Sequence, residues 1–374
     1  MDDKLWDTYT MIIRANSPED IFGVIAGQDT SRLEQSAKVE YQRLAKIVHP
    51  DHHHGNQREE YIANEATKYL NEMYQKFCGM LVKGAPQQMG NNAASRPGDD
   101  IEFTVGGYTY RFGRNDYQID DFQTFFGERE NNGSRENICL KVPLDVDDNG
   151  LIENEASILG RIAHKSLPVL LGTIAMKDGR KANVFRMIPG FVVAGAVSLP
   201  GGYTIEQIHE SYPQGFPQEH AMWVLERLLS VLGFLHSGGI VHGNIHPRNV
   251  TIVPQNHNAI LEDFTMAIAD AVGGGVYKGA NAFSAPEVAP GVHPHPRADM
   301  YSLGKTIAYL LGDGIGIPAQ SVHPDIRRFI DEMTDSDPTT RRDDAWKAYH
   351  DLVDIREKVF GPHRFIELRI PKKS

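Results

Sequence analysis

The chain has 374 residues, of which 41% are hydrophobic, and this length predicts one small and one large domain rather than a single core. Its formal net charge of -11 and the lack of any Lys/Arg block argue against a nucleic-acid-binding protein. Because it has two isolated cysteines, no apparent signal peptide and no apolar run long enough to cross a bilayer, we expect a cytoplasmic protein without membrane contact.

A small helical unit is predicted near the start of the chain. Ser17 is a helix cap followed by a proline and two acidic residues, and Ser31 with Glu34 forms a capping box for a second helix. Apolar residues of the second helix share one face: Leu33, Ala37, Tyr41, Leu44 and Val48. Basic residues share the opposite face: Lys38, Arg43 and Lys46. A third helix, from Ile62 to Phe77, is predicted to pack on the second through its own apolar face.

The tripeptide His49-Pro50-Asp51 lies between the second and third predicted helices. Two antiparallel helices joined by a loop that starts with these letters resemble the J-domain of DnaJ-type co-chaperones, from about Pro18 to Phe77. The resemblance implies that His49, Pro50 and Asp51, together with the basic helix face, bind a DnaK-type chaperone and stimulate its ATPase. A helical hairpin whose loop happens to contain the tripeptide is the alternative. Three further histidines, 52–54, favour a solvated loop over a metal site, because adjacent histidines cannot converge on one ion.

A flexible linker is predicted next, because residues 83–100 are rich in Gly, Pro, Asn, Gln and Ala and lack periodicity. Short strands are predicted from Ile101 onward, and Ile138 to Val142 form the last of them. Glu155 falls in a helix beyond that strand. The chain therefore changes from a helical unit to a second domain that begins with a sheet.

The second half of the chain is organised around a buried helix that ends in a polar loop. Leucines recur at helical spacing up to Leu235, glycines break the pattern, and Ile240-Val241 resume as a short strand. The loop from His242 to Asn249, HGNIHPRN, resembles the catalytic loop of protein kinases, usually written H-R-D-x-K-P-x-N. Further kinase motifs follow in order: Asp263-Phe264-Thr265 at D-F-G, Ala285-Pro286-Glu287 at A-P-E, Asp299 in the next helix, and Arg341 as the partner of Glu287.

The resemblance implies a two-lobed α+β protein-kinase-like fold and a site for ATP and Mg²⁺. Lys141 would pair with the nucleotide phosphates and Glu155 would orient it, whereas an exposed strand lysine is the alternative. Asn249 and Asp263 would hold Mg²⁺ through hard oxygen ligands. Gly127 is the best candidate for a phosphate-binding glycine, although a single glycine lacks the full Gly-rich pattern.

Three substitutions alter the implied chemistry. Asn244 stands where kinases have the general base, and losing a positioned base typically costs about 10²–10⁴ in rate. His246 replaces the lysine of the catalytic loop, and Thr265 replaces a glycine whose backbone is freer. The pattern resembles pseudokinases, so we expect no intact catalytic residue set and favour a pseudokinase over an active enzyme.

The sequence thus predicts a multidomain protein: an all-α J-domain hairpin with an N-terminal extension at 1–80, a linker at 81–100, a kinase-like domain at 101–361 and a tail at 362–374. The expected function is that of a co-chaperone that recruits a DnaK-type chaperone, with the kinase-like domain binding an unknown protein client or sensing nucleotide. The alternatives are an active serine/threonine-type kinase localised by its J-domain, and an idle scaffold.

Overall fold

The computed structural model describes residues 3–15, 17–25, 30–83, 101–119, 121–131, 133–187, 202–212, 215–269, 275–312, 322–362 and 364–370. The predicted linker falls almost entirely in 84–100 and lies outside the described residues. The chain divides into two compact units, residues 1–96 with 162–164, and residues 97–161 with 165–374. Within the described ranges, no helix is long and apolar enough to cross a membrane.

The first unit contains helices α1 (Asp3–Arg14), α2 (Pro18–Phe22), α3 (Thr30–Val48) and α4 (Gln57–Lys83). Helices α3 and α4 are antiparallel, because Thr67 bonds to the carbonyl of Val48 while Tyr41, two turns earlier, stacks on Tyr74 with ring centroids 4.5 Å apart. Their predicted apolar faces form the contact, since Leu44 and Val48 are fully buried. Helix α1 was not predicted, although its buried residues follow helical spacing.

The larger unit begins with a sheet lobe of six antiparallel strands in the order β1-β2-β3-β4-β6-β5. These strands are β1 (Ile101–Val105), β2 (Tyr108–Ile119), β3 (Phe122–Asn131), β4 (Ser134–Pro143), β5 (Leu170–Ala175) and β6 (Lys181–Arg186). Helix α5 (Asn149–Leu159) packs on β4, β5 and β6 and carries Glu155. Side chains alternate across a strand, so Ile138, Leu140 and Val142 of β4 enter the core while Lys141 faces the other side.

A helical lobe follows. Its helices are α6 (Ile205–Ser211), α7 (Gln218–Ser237), α8 (Pro296–Leu311), α9 (Pro324–Met333) and α10 (Ala345–Phe360). Two small sheets join them: β7 (Tyr203–Thr204) with β9 (Val250–Val253) and β10 (Asn258–Leu261), and β8 (Ile240–Val241) with β11 (Ile268–Ala269). Helix α7 is the predicted leucine-rich helix, and it is buried along most of its length. The predicted two-lobed architecture, a sheet lobe followed by a helical lobe, is therefore confirmed.

Candidate active site

A buried lysine lies at the centre of the candidate site. The Nζ atom of Lys141 lies 3.0 Å from Oε1 of Glu155 and 2.8 Å from Oδ1 of Asp263. The side chains of Lys141 and Glu155 are each only 2% exposed, so Lys141 is not an exposed strand lysine. Its ammonium also lies 4.7 Å from the ring centroid of Phe122, which sequence reasoning missed. Strand β4, helix α5 and the segment after β10 thus converge on one cation.

Burial and charge act in opposite directions on this cluster. Burial alone lowers the pKa of Lys141, but the carboxylates of Asp263 and Glu155 raise that pKa above its ordinary value. For Asp263, burial raises the pKa, whereas the charge and hydrogen bond of Lys141 lower it well below its usual range. The lysine is therefore a cation and Asp263 an anion at neutral pH.

Asp263 receives hydrogen bonds on both carboxylate oxygens. Its Oδ1 accepts from Lys141 and, at 2.7 Å, from the hydroxyl of Thr265. Its Oδ2 accepts from Nδ2 of Asn244 at 2.9 Å and lies 3.4 Å from Nδ2 of Asn249. A carboxylate can accept about four such bonds, so Asp263 is saturated in this arrangement.

The backbone after β10 places Phe264 in the core. Asp263 has a φ of 62°, a left-handed conformation that is rare for residues other than glycine. Phe264 is fully buried, its ring meets that of His242 edge-on at 4.7 Å, and its N–H donates to Glu155 at 3.1 Å. The expected backbone cost of Thr265 is not observed, because the strained residue is Asp263 and Thr265 instead contributes its hydroxyl.

The catalytic-loop segment is anchored by Asp299 of α8. The backbone N–H groups of His242 and Gly243 donate to the two oxygens of Asp299, at 2.8 Å and 2.9 Å, and Nε2 of His236 lies 3.0 Å from the same carboxylate. Gly243 has a φ of 73°, and a Cβ there would lie 3.3 Å from the carbonyl of Met266. The loop conformation therefore depends on glycine at this position.

The altered residues of the loop lie beside Asp263. Nδ2 of Asn249 lies 3.0 Å from the carbonyl of Asn244 and 2.9 Å from Nε2 of His246. Oδ1 of Asn244 accepts a hydrogen bond of 3.0 Å from Nδ2 of Asn281, a residue to which sequence analysis assigned no role. Downstream, Arg341 binds both oxygens of Glu287 at 2.5 Å and 3.0 Å, which is the pairing that the motif order predicted.

Gly127 does not lie in a phosphate-binding turn. It is an internal residue of β3, paired with Phe112 on one side and Ile138 on the other. A Cβ atom at Gly127 would lie 2.0 Å from the carbonyl oxygen of Arg111, so the glycine is required by close strand packing. The end of the β2–β3 hairpin next to Phe122 contains Asp121 instead, and an acidic side chain does not favour phosphate. The sequence-based choice of Gly127 was therefore wrong.

The candidate chaperone-binding residues lie on the first unit. Pro50 to His52 form one turn of 3₁₀ helix between α3 and α4, and the side chains of His49 and Asp51 are 51% and 76% exposed. Lys38 and Lys46 are exposed on α3. Arg43 is also exposed, but Glu40 holds it through two hydrogen bonds of 2.8 Å and 2.6 Å, which weakens the basic face.

Comparison with known proteins identifies the family to which the larger unit is related. The protein kinase domain family matches residues 144–353, which is more than half of the chain. The chain belongs to the protein kinase family. The match begins three residues after Lys141 and does not include helices α1 to α4, so the J-domain resemblance gains no support from it.

Individual relatives are serine/threonine kinases. Serine/threonine-protein kinase F of Synechocystis sp. is 27% identical over 177 residues, a stretch that covers 43% of this chain and 33% of the relative. Serine/threonine-protein kinase PknL of Mycobacterium tuberculosis is 28% identical over 199 residues, which cover 46% of this chain and 48% of the relative. The chain thus spans between a third and a half of these relatives.

The donor set fits ATP with Mg²⁺, because the carboxylate of Asp263 contacts the lysine that would meet the phosphates, and the side-chain amide of Asn249 lies beside that carboxylate. Within the described residues, no group of three or more His, Cys, Asp or Glu side chains could hold a metal ion by itself. Mg²⁺ usually binds one or two carboxylates together with substrate phosphates, so the small number of protein ligands is not an obstacle.

Proposed function

We propose that the larger unit is an ATP-dependent protein kinase of the serine/threonine type whose phosphoryl transfer is slow. The observation that carries this proposal is the contact of Lys141 with both Glu155 and Asp263. In protein kinases this lysine–glutamate pair and the metal-binding aspartate must both be in place for activity. The two serine/threonine-protein kinases that the chain resembles support the same activity.

The residues of the site account for the binding of ATP and Mg²⁺ better than for removal of the proton from an acceptor hydroxyl. Lys141 would pair with the α- and β-phosphates, while Asp263 and Asn249 would hold Mg²⁺. ATP and Mg²⁺, when bound, supply the phosphoryl group and neutralise its developing charge. Asn244 has an amide that is not basic, so it can hold an acceptor hydroxyl in place without taking its proton.

Slow transfer rather than none follows from the nature of the reaction. Phosphoryl transfer depends chiefly on positioning and electrostatic stabilisation, and Lys141, Glu155 and Asp263 supply both. A missing general base typically lowers the rate by about 10²–10⁴, which leaves a measurable reaction. The substitution at Asn244 therefore reduces activity without removing the rest of the site.

The test is transfer of radiolabel from ATP to a serine/threonine peptide mixture, together with ATP-Mg²⁺ stabilisation in a thermal-shift assay. The unmodified chain should show both, and Lys141→Met should show neither. Asp263→Asn keeps the shape of the side chain but removes its charge, so it should abolish transfer. Stabilisation by ATP without any transfer would instead identify a nucleotide-sensing pseudokinase.

We further propose that the helical unit is a J-domain that recruits a DnaK-type chaperone, so that the kinase domain or its protein client is brought to that chaperone. The supporting observation is the exposed His49-Pro50-Asp51 turn between two antiparallel helices. Proline at this turn restricts the backbone, and Asp51 offers a charge to a cationic partner.

Single-turnover ATP hydrolysis by the cognate chaperone, with the full chain added, tests this second proposal. Asp51→Asn should remove the stimulation without unfolding the helices, because Asp51 is exposed. Asp7→Asn, in a different part of the same unit, serves as the control and should stimulate like the parent. Equal stimulation by the parent and Asp51→Asn would reject the co-chaperone role.

A further inference from the structure

Two side-chain amides connect the segment before Ala285-Pro286-Glu287 to the carboxylate of Asp263. Nδ2 of Asn281 donates to Oδ1 of Asn244 at 3.0 Å, and Nδ2 of Asn244 donates to Oδ2 of Asp263 at 2.9 Å. Asn281 is exposed and Asn244 is half-buried, so the chain of amides runs from the surface into the site.

The orientation of both amides follows from hydrogen-bond chemistry. The backbone N–H of Phe283 can only donate, and it lies 2.7 Å from Oδ1 of Asn281, so that atom must be an oxygen. The amide nitrogen of Asn281 therefore faces Asn244, which must present its own oxygen. The N–H₂ group of Asn244 is consequently turned toward Asp263.

Asn281, the outer of the two amide residues, is held in place by hydrogen bonds within its own turn. The backbone N–H of Asn281 donates to Oγ of Ser284 at 2.9 Å, and the N–H of Ser284 donates to the carbonyl of Asn281 at 3.1 Å. These two hydrogen bonds hold the backbone of Asn281, and the N–H of Phe283 holds its side-chain oxygen, so the amide keeps one orientation. An ordered turn therefore also fixes the orientation of the Asn244 amide.

The orientation of Asn244 opposes a cation at Asp263. Oδ2 of Asp263 receives the N–H of Asn244, and a divalent cation at that oxygen would meet amide hydrogens instead of an oxygen ligand. If the amide of Asn244 were turned over, its oxygen would lie beside Oδ2 of Asp263. Two adjacent oxygens would then face the cation, and only the longer contact of 3.4 Å from Nδ2 of Asn249 would remain at Oδ2 of Asp263.

We propose that Asn281 is a positioning residue that sets the divalent-cation affinity of Asp263 through the orientation of Asn244. The inference rests on the proposed kinase function in taking Asp263 as the metal ligand. An ordered Asn281 turn keeps the affinity low, and release or reversal of the Asn281 amide raises it. The segment that carries Asn281 therefore regulates metal loading of the site.

The decisive variant is Asn281→Asp. One oxygen of the new carboxylate still accepts from Phe283, and the other faces Asn244 and turns its N–H₂ group outward. Mn²⁺ binding to the nucleotide-free full chain, followed by electron paramagnetic resonance, should then tighten by about tenfold. Asn281→Ala, which only releases Asn244, should tighten binding by about threefold, the effect expected for one net hydrogen bond.

Two controls distinguish an effect that is transmitted through Asn244 from a direct effect of the added charge. Ala282→Asp places the same charge on a neighbouring exposed residue and should change Mn²⁺ affinity by less than about twofold, because exposed charges are screened. In an Asn244→Ala background, Asn281→Asp should likewise have little effect, because the residue that transmits it is gone.

A similar gain from Ala282→Asp or in the Asn244→Ala background would overturn the proposal, as would unchanged affinity in both Asn281 variants or no Mn²⁺ binding in any protein. The measurement uses neither nucleotide nor acceptor peptide. Absence of phosphoryl transfer together with the expected Mn²⁺ pattern would therefore reject the proposed kinase activity and leave the role of Asn281 standing.

Discussion

At the scale of single residues, the site consists of charges that are removed from water and compensated by one another. Lys141 contacts two carboxylates, and the donors from Asn244 and Thr265 complete the shell of Asp263. A buried ion that loses its partner keeps the cost of desolvation and gains nothing in return. The cluster therefore stabilises the fold only as a complete set.

Replacing Lys141 with Met should lower the free energy of unfolding by about 3–5 kcal/mol, because Glu155 and Asp263 would be left buried without a cation. Urea unfolding of the full chain measures this loss. Lys181→Met is the matched control, since Lys181 pairs with Glu153 at the surface and exposed pairs contribute about 0–1 kcal/mol. Equal losses of unfolding free energy in the two variants would show that a buried ion pair contributes no more to stability here than an exposed one.

The stability of the helical lobe should depend on pH through Asp299. Burial raises the pKa of Asp299, but the hydrogen bond from His236 and neighbouring charges lower it below its ordinary value. A carboxyl group whose pKa is lowered by folding contributes stability that is present above its unfolded pKa of about 3.9 and is lost as the pH falls through the folded pKa. The contribution should thus be constant between about pH 5 and 7 and decrease below about pH 4.

Urea unfolding of the parent and Asp299→Asn at several pH values measures that contribution. The difference in unfolding free energy should be similar at pH 7 and 5, and smaller at pH 3. A difference that grows toward acid pH would mean that burial outweighs the hydrogen bonds at Asp299.

The pairing of Lys141 with Glu155 was predicted from their spacing and from the resemblance to protein kinases, and the same resemblance assigned Asp263 to the site as a metal ligand. The donors from Thr265 and Asn281 could not be predicted. Their hydrogen bonds depend on side-chain rotamers and on the path of an irregular segment, which no periodicity encodes. The sequence showed that Asn244 replaces the general base, but only the structure showed that it donates a hydrogen bond to Asp263.

At the scale of elements, strand register explains why Gly127 was misinterpreted. The sequence shows a lone glycine among apolar and charged residues, which is compatible with either a turn or a closely packed strand. The structure pairs Gly127 with Phe112 and Ile138 and thus places it inside a strand. A strand only a few residues shorter would have left this glycine in a turn. Alternation predicted the existence of these strands but not their ends.

Gly127→Ala should destabilise the sheet lobe by about 1–3 kcal/mol, because the added Cβ would lie 2.0 Å from a backbone oxygen of β2 and the strands would have to separate. Thermal unfolding followed by circular dichroism measures the effect. Gly113→Ala on β2 is the control: a Cβ there meets nothing within 4 Å, so its stability should be unchanged or slightly higher. Equal effects would mean that the strands adapt freely at Gly127.

At the scale of the whole molecule, the two units differ in how well the sequence identifies them. The larger unit carries motifs in a fixed order, and the family match covers most of it. The helical unit offers one tripeptide and two amphipathic helices, which fit both a J-domain and an ordinary hairpin. Helix α1 carries Leu5, Tyr9 and Ile12 at helical spacing, but the surface of α4 on which it packs is visible only in the folded chain.

The division of the chain leads to a prediction for limited proteolysis. Residues 83–100 lack the apolar periodicity needed to bury a segment, whereas α4 ends at Lys83 and β1 begins at Ile101. Elastase, which cuts after small residues, should therefore cleave first near Ala93 and Ala94 and release two stable fragments, identified by mass spectrometry. The urea-denatured chain is the control and should be cut throughout. First cuts between Glu102 and Gly361 would show that the boundary between the units lies elsewhere.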